Sequence, residues 1–343
     1  MIRIQNIYYM LAYAFQVLHE QGYKDVATED FENTAELLSA ILCRGVSIQI
    51  KRGLCRQYIT NEEPLGSPRG KIEIGESIKT QAIRKKQLVC AYDEFSVDAY
   101  TNRIIKTTME LLLRANISKT RKKELRKLLI FFDGVSVLDI HNINWDIQYG
   151  RNNQTYRMII EVCHLVIKGL LQTSADGSTR IMDYADDQTM AKLYEKFILG
   201  YFQREHTDIK AYSPQIAWQV TDGYRTLLPT MQSDIVISNK ETKKTLIIDA
   251  KYYSHNMQMK APYMTQTLHS GNLYQIFTYV KNWNAAPDET ISGMLLYART
   301  DDAIQPDNDY QMSGNQISVK TLDLNCDFAV IAAQLDAIAE RVK

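Results

Sequence analysis

The chain has 343 residues, of which 45% are hydrophobic and 23% charged, a composition that excludes a disordered or fibrous protein and leaves room for two domains. With 40 Lys plus Arg against 40 Asp plus Glu the formal net charge is zero. Bulk electrostatics alone would therefore not hold the protein on DNA or an anionic membrane, and any polyanion contact must be local.

The apolar stretch behind Met1-Ile2-Arg3 runs into Gln16, His19 and Glu20 with no small-x-small cleavage site, and no apolar run approaches the ~20 residues of a membrane span. The five cysteines, Cys43, Cys55, Cys90, Cys163 and Cys326, never form C-x-x-C, which argues against a disulfide framework or a structural zinc site. These features predict a cytoplasmic protein that is neither secreted nor membrane-embedded. Ile7, Leu11, Ala14 and Leu18 recur at helical spacing and predict an amphipathic helix from Asn6 to His19. From Val46 to Glu73 short alternating runs (VSIQI, RQYIT, KIEI) are broken by Gly53, Pro64, Gly66, Pro68 and Gly70, which predicts a small antiparallel β unit with a long loop. Helices are expected again from Asp98 to Ala115 and from Lys119 to Phe132. Residues 44 to 127 carry 19 basic against 9 acidic side chains, either a solvated face or a surface for phosphates or an acidic partner.

The turn-rich stretch Leu170 to Asp183 places a domain boundary near residue 180, dividing the chain into 1–180 and 181–343. Behind it Met190, Leu193, Tyr194, Phe197, Ile198 and Tyr201 predict a helix. Strands near 232 to 238 and 245 to 252, a helix from Leu273 to Trp283 and a strand from Ile291 to Tyr297 complete an αββαβ order.

The chemistry concentrates in MQSDIVIS and TLIIDAKYY. Side chains alternate along a strand, so Asp249 and Lys251 project from one face, and a hairpin register that sets Asp234 opposite Asp249 would bring two carboxylates together beside a lysine. Clustered buried carboxylates repel and need a cation. Oxygen ligands suit Mg²⁺ or Mn²⁺, with the Ala250 carbonyl as a further donor. Such a cation would assist phosphodiester hydrolysis, while Lys251 orients water or stabilises transition-state charge. A strand-end aspartate salt-bridged to a neighbouring lysine would also explain Asp249 and Lys251 alone. Three further residues narrow the choice: Glu195 in LYEKF, on the preceding helix, and Gln275 with Tyr279 in LYQIFTY, spaced to share one helix face.

The order Glu, Asp, Asp-x-Lys, Gln-x-x-x-Tyr resembles the PD-(D/E)xK nucleases and their RecB-like branch, with Ser233 in place of the proline. QNIYYMLAYAF, GSPRGKIE, TNRIIK, LYEKF, and DAKYY followed by NLYQ extend the resemblance over nearly the whole chain to the McrC family, nuclease subunits of McrBC modification-dependent restriction systems. That resemblance implies an α+β N-terminal domain followed by an α/β restriction-endonuclease-like domain with a mixed sheet flanked by helices. It further implies a Mg²⁺-dependent type IV restriction endonuclease subunit that cleaves methylcytosine-containing double-stranded DNA. The N-terminal domain, residues 1–180, would engage a McrB-like AAA+ ring and stimulate its GTP hydrolysis. Asp234 and Asp249 would ligate the metal, Lys251 would be the catalytic lysine, and Glu195 and Gln275 would support the site. No motif fixes a partner-activating residue; Arg69 and Lys71 in the Gly/Pro-rich loop are candidates.

The segment Gly66-Ser-Pro-Arg-Gly70-Lys71 has three residues between its glycines where a phosphate loop has four, and Ile72 follows the lysine. GTP is therefore expected on the partner and not on this chain. Cutting both strands makes dimerisation in the assembly an expectation too. His255 and His269 flank the proposed site as surface residues or DNA contacts. Two other readings stay open: a stand-alone RecB-like repair nuclease, and an activator or assembly module of the motor.

Overall fold

A computed structural model describes residues 2–15, 31, 33–150, 154–176, 187–260 and 265–343. The chain divides into two units, one formed by Leu38–Leu171 and the other by Met1–Leu37 together with Gln172–Lys343. The expected boundary near residue 180 falls largely outside the described residues. A single cut there also misassigns the N-terminus, because the first 37 residues join the C-terminal half.

The physical reason lies in helix α1 (Ile4–Ala14), which buries Ile7, Tyr8, Met10, Leu11 and Ala12. Its amphipathic pattern is real but its partners are distant in sequence. Tyr9 stacks on Phe328 with ring centroids 4.1 Å apart, the Tyr13 hydroxyl donates to Glu205 at 2.9 Å, and Asn6 Nδ2 donates to the carbonyls of Leu324 and Cys326, each at 2.8 Å.

In the Leu38–Leu171 unit, α2 (Thr34–Arg52) absorbs the run VSIQI that alternation assigned to a strand. The buried residues Leu37, Leu38, Ile41, Leu42 and Val46 follow a helical period, and that longer pattern overrides five residues of local alternation. Gly53, at φ +94°, ends the helix. Strands β1 (Gln57–Leu65), β2 (Lys71–Ile72) and, after the short helix α3 (Ile74–Lys79), β3 (Leu88–Ser96) form an antiparallel sheet in the order β1-β3-β2. Gly70 closes the loop before β2 at φ +70°, where a Cβ would lie 2.4 Å from the Ala91 carbonyl oxygen. Helices α4 (Tyr100–Arg114), α5 (Lys119–Leu129) and α6 (Arg157–Asp176) complete this unit. Ser118 caps α5, accepting from the Arg121 N–H.

The remaining elements are α7 (Asp187–Glu205), β4 (Lys210–Tyr212), β5 (Gln215–Ile216), β6 (Met231–Gln232), β7 (Ile235–Asn239), β8 (Lys244–Lys251), β9 (Met257–Lys260), β10 (Thr265–Leu268), α8 (Ser270–Asn282), β11 (Thr290–Ala298), β12 (Asn308–Met312), β13 (Asn315–Leu322) and α9 (Phe328–Ala339). Six of these strands form one mixed sheet in the order β12-β13-β11-β8-β7-β4. Strands β8, β11 and β13 run parallel, and the other pairs are antiparallel. The expected αββαβ order survives as α7, β7, β8, α8 and β11, with the β9–β10 hairpin inserted. Helix α8 covers one face of the sheet through Ile276, Tyr279 and Val280, which pack on Val236, Ile247, Leu295, Tyr297, Ile317 and Val319. Strand β8 is buried along Thr245–Ala250 on both faces, which explains why it reads as an unbroken apolar run.

Gly200 fixes how closely α1 and α7 approach, since a Cβ there would sit 2.3 Å from the Tyr13 carbonyl oxygen. Backbone cannot yield as a flexible side chain can. Gly200→Ala should therefore destabilise the chain by about 1–3 kcal/mol, measured by denaturant unfolding.

Candidate active site

The hairpin β7–β8 pairs Ile235 with Ile248, so the next position outward sets Asp234 opposite Asp249. There the ladder stops, and the Asp234 carboxylate takes over its role: Oδ2 accepts the Ala250 N–H at 2.8 Å. Ser233 holds the approach, donating from both its N–H (3.2 Å) and Oγ (3.0 Å) to the Pro214 carbonyl. A proline in its place would lose both bonds, having neither an N–H nor a hydroxyl.

Asp249 is fully buried, and neither of its carboxylate oxygens receives a hydrogen bond. Lys251 Nζ stands 2.7 Å from Asp249 Oδ2, an ion pair without hydrogen-bond alignment, and the lysine side chain is only 14% exposed. The same ammonium donates to Gln275 Oε1 at 3.2 Å. Gln275 Nε2 donates to the Tyr279 hydroxyl at 2.8 Å, and that hydroxyl donates to the Gln232 carbonyl at 2.9 Å. This chain of bonds assigns the Gln275 amide, turning its oxygen toward Lys251. The i, i+4 spacing seen in the sequence thus becomes a brace between α8 and the strand that delivers Asp234.

Burial pushes the Asp249 carboxyl well above the carboxylate range, with Lys251 opposing and Asp234 adding to the rise. Asp234 is raised for the same reason. Burial acts to lower Lys251, but Asp249 and Asp234 outweigh it and hold the ammonium charged. Glu195, on α7, is pushed up to about 7 by burial and then by the charge of Asp234, so it belongs to the same electrostatic neighbourhood. The fully buried Asp249, its oxygens without hydrogen bonds, beside a half-buried Asp234 and one lysine leaves a local demand for positive charge. Among the described residues no group of three His, Cys, Asp or Glu is spaced to hold a metal. A cation here would thus rest on two carboxylates and backbone oxygen, the donor set that hard divalent ions accept.

His255 is exposed and its Nδ1 pairs with Asp302 at 3.0 Å, while His269 Nε2 lies 3.4 Å from the His255 carbonyl. Sequence reasoning passed over Asn272, Tyr253 and Tyr297, although Asn272 lies three residues before Gln275 on the same face of α8. That spacing was the available signal.

The family model for the McrBC 5-methylcytosine restriction system component matches residues 4–298. The chain belongs to this family. It is 30% identical over 342 residues to the type IV methyl-directed restriction enzyme EcoKMcrBC of Escherichia coli strain K12, covering 97% of this chain and 96% of that one. Among solved structures it is similar to a half-complex from the tetradecameric assembly of Thermococcus gammatolerans McrB AAA+ hexamers with bound McrC. That match has 17% identity and a TM-score of 0.46, and it covers 98% of this chain and 76% of that one. It is also similar to a cryo-EM structure of the Thermococcus gammatolerans McrBC complex, at 20% identity and a TM-score of 0.39, covering 59% and 58%. Among the described residues no helix is long and apolar enough to cross a membrane.

Because Glu195 has its folded pKa raised from 4.5 to about 7, the folded chain binds the extra proton across that window, and stability falls as pH rises through it. Glu195 is only partly buried, so solvent screening reduces the effect to about 1 kcal/mol. With a chelator present, Glu195→Gln should lose that much less stability than the parent between about pH 4.5 and 7, read from unfolding free energies.

Proposed function

We propose that this chain is the nuclease subunit of its restriction system, a PD-(D/E)xK enzyme that hydrolyses phosphodiester bonds in methylcytosine-containing double-stranded DNA with Mg²⁺. The observation that carries the reading is the fully buried Asp249, its oxygens without hydrogen bonds, beside Asp234 and Lys251. A structural ion pair would align its partners, whereas a site that receives a cation leaves carboxylate oxygens open.

Asp234, Asp249 and the Ala250 carbonyl would hold Mg²⁺, or Mn²⁺ in its place. When bound, the ion neutralises a phosphate oxygen and acidifies water. Lys251, kept charged by its acidic neighbours, orients the attacking water or stabilises negative charge on the phosphate, and Gln275 keeps its ammonium in place. Glu195 serves as an additional acid at the edge of the site. GTP would be bound by the partner, a McrB-like AAA+ ring, and the chain's role there is to stimulate hydrolysis. The family is described as a 5-methylcytosine restriction system component and the relative EcoKMcrBC is named as a methyl-directed restriction enzyme, which supports modified cytosine as the signal. Cutting both strands requires two centres or one that acts twice, so dimerisation within the assembly fits the reaction.

The test mixes the purified chain with methylated or unmethylated DNA, Mg²⁺ and GTP, with and without the partner. Cleavage that needs both methylation and partner supports the full reading; partner-independent cutting would favour a free-standing nuclease. Asp249→Ala and Asp234→Asn should each remove cleavage, a loss on the order of several kcal/mol of barrier stabilisation. Lys251→Ala should lose cleavage yet bind Mn²⁺ in titration calorimetry, and Lys251→Arg should not restore it, since a planar guanidinium cannot occupy the place of a compact ammonium. Unchanged cutting by the aspartate variants would remove the site assignment.

The candidate partner contact is the Gly/Pro-rich loop. There the Arg69 guanidinium lies 4.3 Å from the centroid of the Tyr92 ring and Lys71 pairs with Glu73 at 2.5 Å. Arg69→Glu with Lys71→Glu should lower partner-stimulated GTP hydrolysis while leaving the fold unchanged by circular dichroism.

A further inference from the structure

Lys251 has neighbours that the cleavage reading does not use. Across the parallel pair β8–β11 its register partner is Tyr297, and in-register side chains of adjacent strands share a face about 4.8 Å apart. Tyr297 is completely buried. Its hydroxyl accepts a hydrogen bond from Asn272 Nδ2 at 2.9 Å. Asn272 Oδ1 in turn accepts from the Tyr253 hydroxyl at 3.2 Å, and Tyr253 lies two residues beyond Lys251. The two tyrosine rings stand 6.2 Å apart. One amide on the first turn of α8, itself only 9% exposed, therefore ties together the residue beside Lys251 and the residue just past it.

We propose that Asn272 is a positioning residue for the cleavage reaction, setting the Tyr253–Tyr297 wall against which Lys251 is held. The inference rests on the nuclease reading above. The amide bonds both hydroxyls at once, donating to Tyr297 and accepting from Tyr253, so one side chain sets the positions of both rings. Packing alone does not call for it: an apolar side chain against the same rings would avoid the cost of burying an amide. What the polar set adds is a single arrangement of the two rings. Asn272, Gln275 and Tyr279 occupy positions i, i+3 and i+7 of α8, one face of the helix. Gln275 takes the lysine head, Tyr279 the strand leading to Asp234, and Asn272 the wall. A small displacement of a catalytic ammonium is costly in rate, which gives the wall its function.

The experiment measures kcat and KM for methylated DNA with the full chain, Mg²⁺ and the AAA+ partner with GTP. Asn272→Ala should lower kcat about ten- to hundredfold with KM for DNA and the calorimetric affinity for Mn²⁺ unchanged. Tyr253→Phe and Tyr297→Phe keep each ring and delete one end of the chain of bonds, so each should show the same split to a smaller degree. Tyr253→Phe added to Asn272→Ala should cost nothing more, because the three side chains act as one unit. A folded Asn272→Ala with parental kcat overturns the proposal, as do additive losses in the double variant or losses shared equally by kcat, KM and Mn²⁺ affinity. If Asn272→Ala fails to fold, Tyr297→Phe decides on the same criterion: a lowered kcat at constant KM supports the proposal, and a parental kcat overturns it. A parent chain that does not cut under these conditions overturns the nuclease reading and this inference with it.

Discussion

Taking the carboxylate of Asp249 out of water is unfavourable by several kcal/mol unless charge or hydrogen bonds replace the lost hydration, and among the described residues the cation beside it is Lys251, 2.7 Å away and not aligned as a hydrogen-bond donor. Much of the unit that carries the six-stranded sheet follows from that constraint. Strand β8 must be central in the sheet for Asp249 to be buried, and it must be covered on both faces, which α8 does on one side. Asp234 must come from a neighbouring strand whose pairing ends one residue early, so that its side chain and not its backbone meets the Ala250 N–H. The result is a pair of acids raised by burial and a lysine kept charged by them, an electrostatic state that favours binding of a further cation.

Helix α8 carries the polar side of this arrangement. Its apolar residues, Ile276 and Val280, pack into the sheet, while Asn272, Gln275 and Tyr279 each make hydrogen bonds to groups around the end of β8. Buried polar groups of this kind contribute modest net stability but favour one geometry over its alternatives. Fixed geometry is what the proposed phosphodiester hydrolysis would require of this centre. The buried Asp249 and half-buried Asp234 oppose the stability of the metal-free fold, and the apolar core around them offsets that cost.

Helix α1 shows a different dependence. Its aromatic face docks on α7 and α9 through Tyr9, Tyr13 and Phe328, and Asn6 hydrogen-bonds the backbone just before α9. The unit that holds the site is thus discontinuous in sequence, closed by the first elements of the chain. The division of labour expected between a first and a second half of the chain has to be redrawn, with the other unit limited to Leu38–Leu171.

Local chemistry decided much of this before any fold was known. Alternation along TLIIDAK placed Asp249 and Lys251 on one face, the turn between two apolar runs made a hairpin with Asp234, and i, i+4 spacing joined Gln275 to Tyr279, because strand and helix periods are properties of the backbone itself. VSIQI misled for the converse reason: five alternating residues are too few to outweigh the helical burial pattern on either side of them. The partner of α1, the register that sets Tyr297 beside Lys251, and the bonds of Asn272 to residues 19 and 25 positions away were settled only in three dimensions. Each joins segments with no periodic relation along the chain, so nothing short of the packed sheet could choose among the possible neighbours.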